Sequence, residues 1–184
     1  MVYEPFLISV LTDVVRVLHE HRFDYALAGG LAYSALVEPR ATMDIDLLIV
    51  VEGAPPSALF QAMGPVFDAF TPHANPMRFK NLTVWRGVGI REKKEMIVDF
   101  LLAESDFHRT ALSRKRVVEW SGLPLPIVTP EDLLILKALG GRLRDQADIE
   151  GIKTSYGQRL DRKYLASWKQ RLGLSFSTCL RGGS

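Results

Sequence analysis

The sequence predicts a fold of the α/β or α+β class with a helical C-terminal part. Up to about residue 128, short apolar segments with the length of strands alternate with segments whose apolar residues recur at the period of a helix. After residue 128, the apolar spacing is helical throughout. Strand–helix alternation followed by helices alone is typical of a sheet-containing core that carries a helical C-terminal part.

Length and composition limit the kind of protein that this chain can be. A chain of 184 residues suits one domain, or one domain with a small helical appendage. We place the boundary between a core of residues 1–128 and a helical part of residues 129–184, which together can form one continuous domain. Apolar residues make up 47% and charged residues 24% of the sequence, which is the composition of a folded soluble protein.

Nothing in the sequence predicts a membrane or secreted protein. No apolar run approaches the length of a transmembrane helix, and the first residues lack the features of a secretion signal. The one cysteine, Cys179, cannot form an intramolecular disulfide, and no Cys/His cluster has zinc-ligand spacing. We therefore expect a cytoplasmic protein with no membrane partner.

The first elements surround a pair of glycines. Apolar spacing predicts a helix over residues 5–21, and residues 25–28 form a short strand that runs into Gly29 and Gly30. A second helix is predicted over residues 31–37. A strand, two glycines and a helix place free backbone N–H groups and the positive end of the helix at one point, where a phosphate can approach closely. This predicts a phosphate site; the alternative is a plain strand–helix turn.

Three aspartates lie on predicted strands or directly at their start. Asp44 and Asp46 stand at the start of the strand 45–51, and because strand side chains alternate, both carboxylates share one face. They repel each other unless a cation lies between them, and Mg²⁺ binds to a few carboxylates plus substrate phosphates. Asp99 lies within the apolar strand 96–102, where an unpaired acid is costly to bury. The alternative for the first two is ordinary surface acids.

The remaining elements are predicted with uneven clarity. In chain order they are a helix after Pro55 and Pro56, a strand over 82–85, short strands over 116–120 and 125–128, and helices over 130–139, 144–154 and 161–172. Residues 71–94 give little pattern apart from the one strand. Thr129 followed by Pro130 and two acids is a strong helix start, with an N-cap, a proline in the first turn and negative charge near the helix N-terminus.

The glycines and acids together resemble a known signature. Gly29-Gly30, a spacer of 13 residues and then Asp44-Ile45-Asp46-Leu47 is similar to the signature of the polymerase-β-like nucleotidyltransferase superfamily. That signature is a Gly-Gly or Gly-Ser turn, a spacer of similar length and a strand with two acids one residue apart. The wider strings over 28–32 and 40–46 resemble the AbiEii/MNT-like branch, which includes toxins of bacterial toxin–antitoxin and phage-defence systems.

A second block of the sequence resembles the C-terminal motif of the same branch. It consists of Thr129-Pro130-Glu131-Asp132-Leu133-Leu134-Ile135-Leu136-Lys137 and the later run from Arg144 to Glu150. The resemblance as a whole spans roughly residues 24–152, and residues 53–95 carry none of it.

The resemblance implies a mixed sheet flanked by helices, two Mg²⁺ ions and a nucleoside triphosphate such as ATP as substrate. An acceptor then attacks the α-phosphate and pyrophosphate leaves, a reaction that needs positioning and charge stabilisation more than other protein chemistry. By position, the resemblance implies that Gly29 and Gly30 hold the triphosphate, that Asp44, Asp46 and Asp99 bind metal, and that Asp99 also helps to activate the acceptor. Arg40 and Thr42 either hold phosphates or brace the loop beside the metal strand.

Lys137 and Asp148 complete the predicted site. Lys137 projects from the apolar face of its helix, either as a lysine that snorkels at the edge of the core or as a cation that reaches the triphosphate. Asp148 is half turned inward with Asp145 and would position Lys137 or the acceptor. The family motif favours the catalytic interpretation. Asp106 competes with Asp99 as the third acid, although helix capping explains it equally simply.

The predicted function is Mg²⁺-dependent transfer of a nucleoside monophosphate to an RNA 3′ end, as in tRNA, or to a protein hydroxyl, as by a toxin with a cognate antitoxin. The alternatives are an antibiotic-type, small-molecule nucleotidyltransferase and a non-catalytic nucleotide-binding relative. Basic runs at 108–116 and 159–171 favour a phosphate-rich acceptor or are simply solvated charges. Arg142 and Arg144 either contact an acceptor phosphate or are exposed helix arginines.

Overall fold

The computed structural model describes residues 5–39, 41–53, 56–79 and 82–176. The helices are α1 (Pro5–Glu20), α2 (Gly29–Leu36), α3 (Ser57–Met63), α4 (Asp106–Arg114), α5 (Pro130–Gly140), α6 (Leu143–Tyr156) and α7 (Arg162–Leu172). The strands are β1 (Tyr25–Leu27), β2 (Ile45–Ile49), β3 (Ala69–Pro72), β4 (Met77–Phe79), β5 (Leu82–Arg91), β6 (Lys94–Leu102), β7 (Arg116–Trp120) and β8 (Leu123–Ile127). Short 3₁₀ turns follow α3 and α6.

The strands form one mixed sheet, as the predicted fold class requires. Its order is β3-β5-β6-β2-β1-β8-β7, and β4 also pairs with β5. The pairs β2–β6 and β1–β8 are parallel, whereas the other pairs are antiparallel. The strand that carries Asp46 therefore lies near the middle of the sheet, between β1 and β6.

Helices cover the two faces of the sheet in different ways. On one face, Phe60 of α3 packs against Trp85 of β5 and Phe100 of β6, and α1 packs on α3. On the other face, α2 lies on β2 and contacts α5. Strand alternation puts Asp46 and Asp99 on this second face, opposite to Phe100. The site is therefore built over a fully packed aromatic layer.

One buried acid links the helical C-terminal part to the rest of the chain. Asp132, in the first turn of α5, is fully buried. Its carboxylate accepts hydrogen bonds from the Thr129 hydroxyl, from Arg114 of α4 and from the Tyr164 hydroxyl of α7. Because a buried carboxylate is stable only with such partners, this network fixes the start of α5 against two other helices.

Most predicted elements are present, with two main differences. Helix α2 begins at Gly29 itself, so that both glycines are its first residues. In the segment 71–94, where we expected a single strand over 82–85, β5 extends to Arg91 and pairs along its length with β6. The short strands β3 and β4 also pair with β5.

Within the described residues, no helix combines the length and apolar character needed to cross a membrane.

Candidate active site

The three predicted acids border a single cleft on the second face of the sheet. Asp46 and Asp99 stand at paired positions of the parallel strands β2 and β6, so their side chains emerge beside each other. Asp44, just before β2, borders the same cleft, which has a volume of about 170 Å³. The strand register alone therefore brings together residues that are far apart in the sequence.

The glycine turn lies directly against Asp46. The backbone N–H of Gly30 donates a hydrogen bond of 3.3 Å to Oδ2 of Asp46. Gly29 has a φ of +62°, and a Cβ atom there would lie 1.8 Å from the same oxygen. A side chain at position 29 is thus excluded both by backbone conformation and by the carboxylate. Gly29 is required for the close approach of the turn to Asp46, while Gly30 borders the cleft itself.

The position of Asp46 changes its acid strength. Burial, together with the negative charge of Asp99, raises the pKa of Asp46 to about 6. The positive charge of Lys137 and the hydrogen bond from Gly30 oppose this rise. A carboxylate crowded in this way is stabilised by any cation that enters the cleft, because the cation relieves both the desolvation and the repulsion.

Arg86 holds the third acid and was not predicted from the sequence. Its Nε and Nη2 atoms donate hydrogen bonds of 2.8 and 2.7 Å to the two carboxylate oxygens of Asp99, across the β5–β6 pair. This bidentate geometry fixes the orientation of Asp99. Arg86 lies in the segment whose strands were hard to predict. The available signal was its position two and four residues after Val84 and Leu82, on the same face of a strand.

Lys137 is buried between two aspartates. Its Nζ lies 2.7 Å from Oδ2 of Asp148 and 3.3 Å from Oδ1 of Asp145, and its side chain is 5% exposed. The Lys137 side chain also borders the cleft. It does not snorkel to solvent, because its ammonium group turns inward to acids on α6. Asp148 does not border the cleft, and its contact with the cleft runs through Lys137.

The other predicted residues have different positions. Thr42 borders the cleft, whereas Arg40 lies outside the described residues. Arg142 and Arg144 also border the cleft, and Arg142 donates to Asp145 with an Nε–Oδ2 distance of 3.0 Å. Asp106 lies outside this cleft in the first turn of α4, where Ser105 is the N-cap and the Asp106 side chain is 81% exposed.

The acids of the cleft suit a hard divalent cation, although the described residues contain no preformed cluster of three or more metal-binding side chains. Asp44 and Asp46 offer two carboxylates, and Mg²⁺ completes its coordination with water and substrate phosphates. Both oxygens of Asp99 accept from Arg86, but each carboxylate oxygen has a further lone pair. Asp99 can therefore bind a metal without losing Arg86.

The sequence matches no protein-family model and no curated protein. Solved structures with the same fold include the antibiotic-resistance factor ANT(2″)-Ia, which is 13% identical, covers 90% of this chain and 92% of its own, and has a TM-score of 0.60. A second structure of ANT(2″)-Ia is a complex with adenylyl-2″-tobramycin.

Two further structures extend the comparison. An antigenic nucleotidyltransferase-like protein from Paracoccidioides brasiliensis is 20% identical over 91% of this chain and 89% of its own, with a TM-score of 0.55. The lincosamide antibiotic adenylyltransferase LnuA, solved with lincomycin, is 13% identical over 78% of this chain and 94% of its own, with a TM-score of 0.53. The likeness is one of fold, and this chain has the nucleotidyltransferase fold.

Proposed function

We propose that this protein is a Mg²⁺-dependent nucleotidyltransferase that moves a nucleoside monophosphate from a triphosphate to a hydroxyl acceptor. The observation that carries the proposal is the pairing of Asp46 with Asp99 on adjacent parallel strands, with the Gly30 N–H directed at Asp46. Crowded carboxylates at the N-terminus of a helix suit a metal-bound triphosphate.

Each residue of the cleft has a separate role in the proposed reaction. The metal would supply charge neutralisation between the phosphates and in the transition state. Asp44 and Asp46 would hold it, and the glycine turn would receive the triphosphate. Asp99, oriented by Arg86, would stand beside the acceptor hydroxyl and accept its proton. Lys137, held by Asp148, would add positive charge where the leaving pyrophosphate develops negative charge.

The sequence motif supports a macromolecular acceptor, with an RNA 3′ end ahead of a protein hydroxyl. Residues 28–32 and 40–46 resemble the AbiEii/MNT-like toxins, so a toxin that has a cognate antitoxin is the corresponding biological role. The exposed cations Arg162 and Lys163 of the second basic run support contact with a phosphate backbone.

A small-molecule acceptor is the second candidate function. Two of the structures with this fold, ANT(2″)-Ia with adenylyl-2″-tobramycin and LnuA with lincomycin, hold an antibiotic or its adenylylated product. The first structure of ANT(2″)-Ia cited above covers 90% of this chain, and that of LnuA covers 78%. This supports the antibiotic-modifying alternative on fold, while the motif supports the first candidate.

The test is incubation with each NTP labelled at the α-phosphate, Mg²⁺ and, separately, bacterial RNA, total protein, tobramycin and lincomycin. We expect label on RNA with release of pyrophosphate, no label without Mg²⁺, and loss of about 100-fold or more in Asp99→Asn. Asp106→Asn, an exposed acid outside the cleft, is the matched control and should retain activity. Label on an antibiotic alone would favour the second candidate. No label with any acceptor, despite NTP binding, would contradict transferase activity.

A further inference from the structure

A second groove continues directly from the acids on the same face of the sheet. It has a volume of about 90 Å³ and begins at Asp46, Asp99 and Arg86. Its other side chains include Met77, Phe79, Leu82, Val84 and Leu101, which we call the apolar shelf. The shelf lies on β4, β5 and β6, on the side of Asp99 that is away from the glycine turn.

The strand register explains why acids and apolar residues form one surface. Met77, Val84 and Leu101 are paired across β4, β5 and β6. Arg86 and Asp99 form the next row on the same face, because each lies two residues from a member of the first row. The apolar row is therefore immediately adjacent to the acid that would stand beside the acceptor hydroxyl.

The shelf has a buried floor and an open rim. Leu82, Val84 and Leu101 are buried, whereas Phe79 is 43% exposed and stands at the edge of the groove. An aromatic ring held by a strand and open to solvent is suited to stacking against another ring. A flat or compact ring placed there would leave a hydroxyl attached to it close to Asp99.

The charges around the shelf do not suit an acceptor with several ammonium groups. Two acids are among the described residues that line the groove. Asp46 also borders the cleft described above, and the two carboxylate oxygens of Asp99 accept hydrogen bonds from Arg86. The cations that line it are Arg86 and Arg142. A polycation would leave its charges without partners beside two guanidinium groups, whereas a neutral or anionic acceptor would not.

We propose that the apolar shelf is the acceptor subsite and that the acceptor is a nucleoside hydroxyl, either of a free nucleoside or of a nucleoside at the end of RNA. This inference rests on the proposed function. The acceptor oxygen forms a bond to the α-phosphorus, the bond from that phosphorus to the oxygen bridging to the β-phosphate breaks, and pyrophosphate leaves with the electron pair. The hydroxyl proton passes to Asp99. The base stacks on Phe79, and where the acceptor is the end of an RNA, its last phosphate faces Arg86 and Arg142.

The test measures acceptor binding apart from turnover. The nucleotide site is first filled with Mg²⁺ and α,β-methylene ATP, which cannot be cleaved between the α- and β-phosphates. Cytidine, a short RNA with a free 3′ hydroxyl and tobramycin are then titrated in separate experiments, and binding is followed by calorimetry. We expect the first two to bind at least about tenfold more tightly than tobramycin.

Two substitutions at the rim locate the subsite. Phe79→Ala should weaken cytidine and RNA binding by about tenfold, since a stacking contact is lost. Ile90→Ala, which removes a similarly exposed apolar side chain from β5 outside this groove, should leave their binding unchanged. Phe79→Glu should weaken RNA binding and strengthen tobramycin binding, because it adds a negative charge beside the groove.

The outcomes separate the two proposals. Tighter binding of RNA than of cytidine assigns the acceptor to an RNA end, and equal binding assigns it to a free nucleoside; both agree with the inference. The inference would be overturned if the unmodified protein bound tobramycin more tightly than cytidine and RNA. It would also be overturned if Phe79→Ala and Phe79→Glu bound RNA and tobramycin as the unmodified protein does. Neither result would contradict nucleotide transfer. Failure of Mg²⁺ and α,β-methylene ATP to bind at all would instead remove the proposed function, and the acceptor assignment with it.

Discussion

Gly29 is the residue at which backbone geometry and site chemistry meet most closely. The sequence shows two glycines between a strand and a helix, from which a phosphate turn is predicted. It does not show that a side chain at position 29 would meet Oδ2 of Asp46, because that contact depends on how β1 and β2 pair. Two requirements therefore act on Gly29. One is local, the positive φ, and the other is tertiary, because the Asp46 carboxylate occupies the space that a side chain would need.

Gly29→Ala should therefore damage the site more than the fold. A non-glycine residue at this φ costs about 1–2 kcal/mol, and the added methyl group must displace Asp46. A displaced carboxylate should reduce nucleotide transfer by about 100-fold. Gly173→Ala is the control, since Gly173 has a φ of +60° and no atoms within 4 Å of an added Cβ. Urea unfolding and transfer rates measure the two effects; equal activity in both variants would contradict the account.

The burial of His108 should make the stability of the fold depend on pH. Burial lowers the pKa of His108 to about 4, opposed by the charge of Glu104 and by the nearby carbonyl of Leu102, although neither ring nitrogen makes a hydrogen bond of normal geometry. The unfolded chain has an imidazole pKa of about 6.5, so below that value the unfolded state binds a proton that the folded state does not. The stability associated with neutral His108 is complete above about pH 6.5 and decreases as the pH falls towards 4.

From pH 7.5 to pH 5, His108 should cost about 2 kcal/mol of unfolding free energy. His108→Leu removes the titrating group and fills the same buried site with a side chain of similar size. Urea unfolding of the two proteins at both pH values should therefore give a smaller loss in the variant. The same loss in both proteins would show that His108 does not carry this part of the pH dependence.

At the scale of elements, the sequence predicts what depends on local pattern and misses what depends on pairing. Helices α1, α5 and α7 and strands β6 and β7 are found close to where apolar spacing and capping residues place them. β3 and β4 were not predicted, because they are short edge strands whose hydrogen bonds come from β5. Arg86 was missed for the same reason, since its role depends on its position opposite Asp99 across β5 and β6.

The contact between α5 and α6 gives the element-scale prediction. Lys137 is buried with Asp148 and Asp145, so Lys137→Met removes the buried cation that the two acids share and should destabilise the fold by about 3–5 kcal/mol. Asp148→Asn should also destabilise, and the double variant should recover part of the loss. We expect a coupling energy of about 1 kcal/mol or more from the double-mutant cycle in urea.

The exposed pair Arg16–Glu20 of α1 provides the control cycle, with an Nη1–Oε1 distance of 3.2 Å. Its coupling should be about 0.5 kcal/mol or less, because both side chains are solvated. Additive effects of Lys137→Met and Asp148→Asn would contradict a tight pair. Transfer activity of the folded fraction then separates the proposed role of Lys137 in catalysis from its role in stability.

At the scale of the whole molecule, folding pairs basic residues that look like a continuous positive run in the sequence with acids from other parts of the chain. In the first basic run, His108 is buried, Arg114 pairs with Glu131 and Asp132, and Lys115 pairs with Asp24. These groups hold α4 in place more than they offer charge to a partner. A sequence shows where basic residues are, but their internal partners belong to the fold, so this run is weak support for an RNA surface.

The network around Asp132 also bears on the domain organisation. It connects α4, which precedes residue 128, to α5 and α7, which follow it. We therefore propose that residues 1–128 and 129–184 unfold together as one domain, so that heating gives a single transition. Two separated transitions in calorimetry, one of them retained in a chain truncated after residue 128, would contradict this.

Ligand-dependent stability is the prediction that concerns the whole folded chain. Under the proposed function, Mg²⁺ with an NTP would bind only the folded protein, so at a ligand concentration about 100 times the dissociation constant it should add about 2.7 kcal/mol to the unfolding free energy. For a chain of this length, that corresponds to an increase in melting temperature of about 5–10 °C. Asp46→Asn should abolish most of the Mg²⁺-dependent part, because the amide cannot replace the charge of the carboxylate that would hold the metal. Asp106→Asn makes the same chemical change at an exposed position and should keep the full increase. An undiminished increase in Asp46→Asn would mean that the paired acids do not hold the metal.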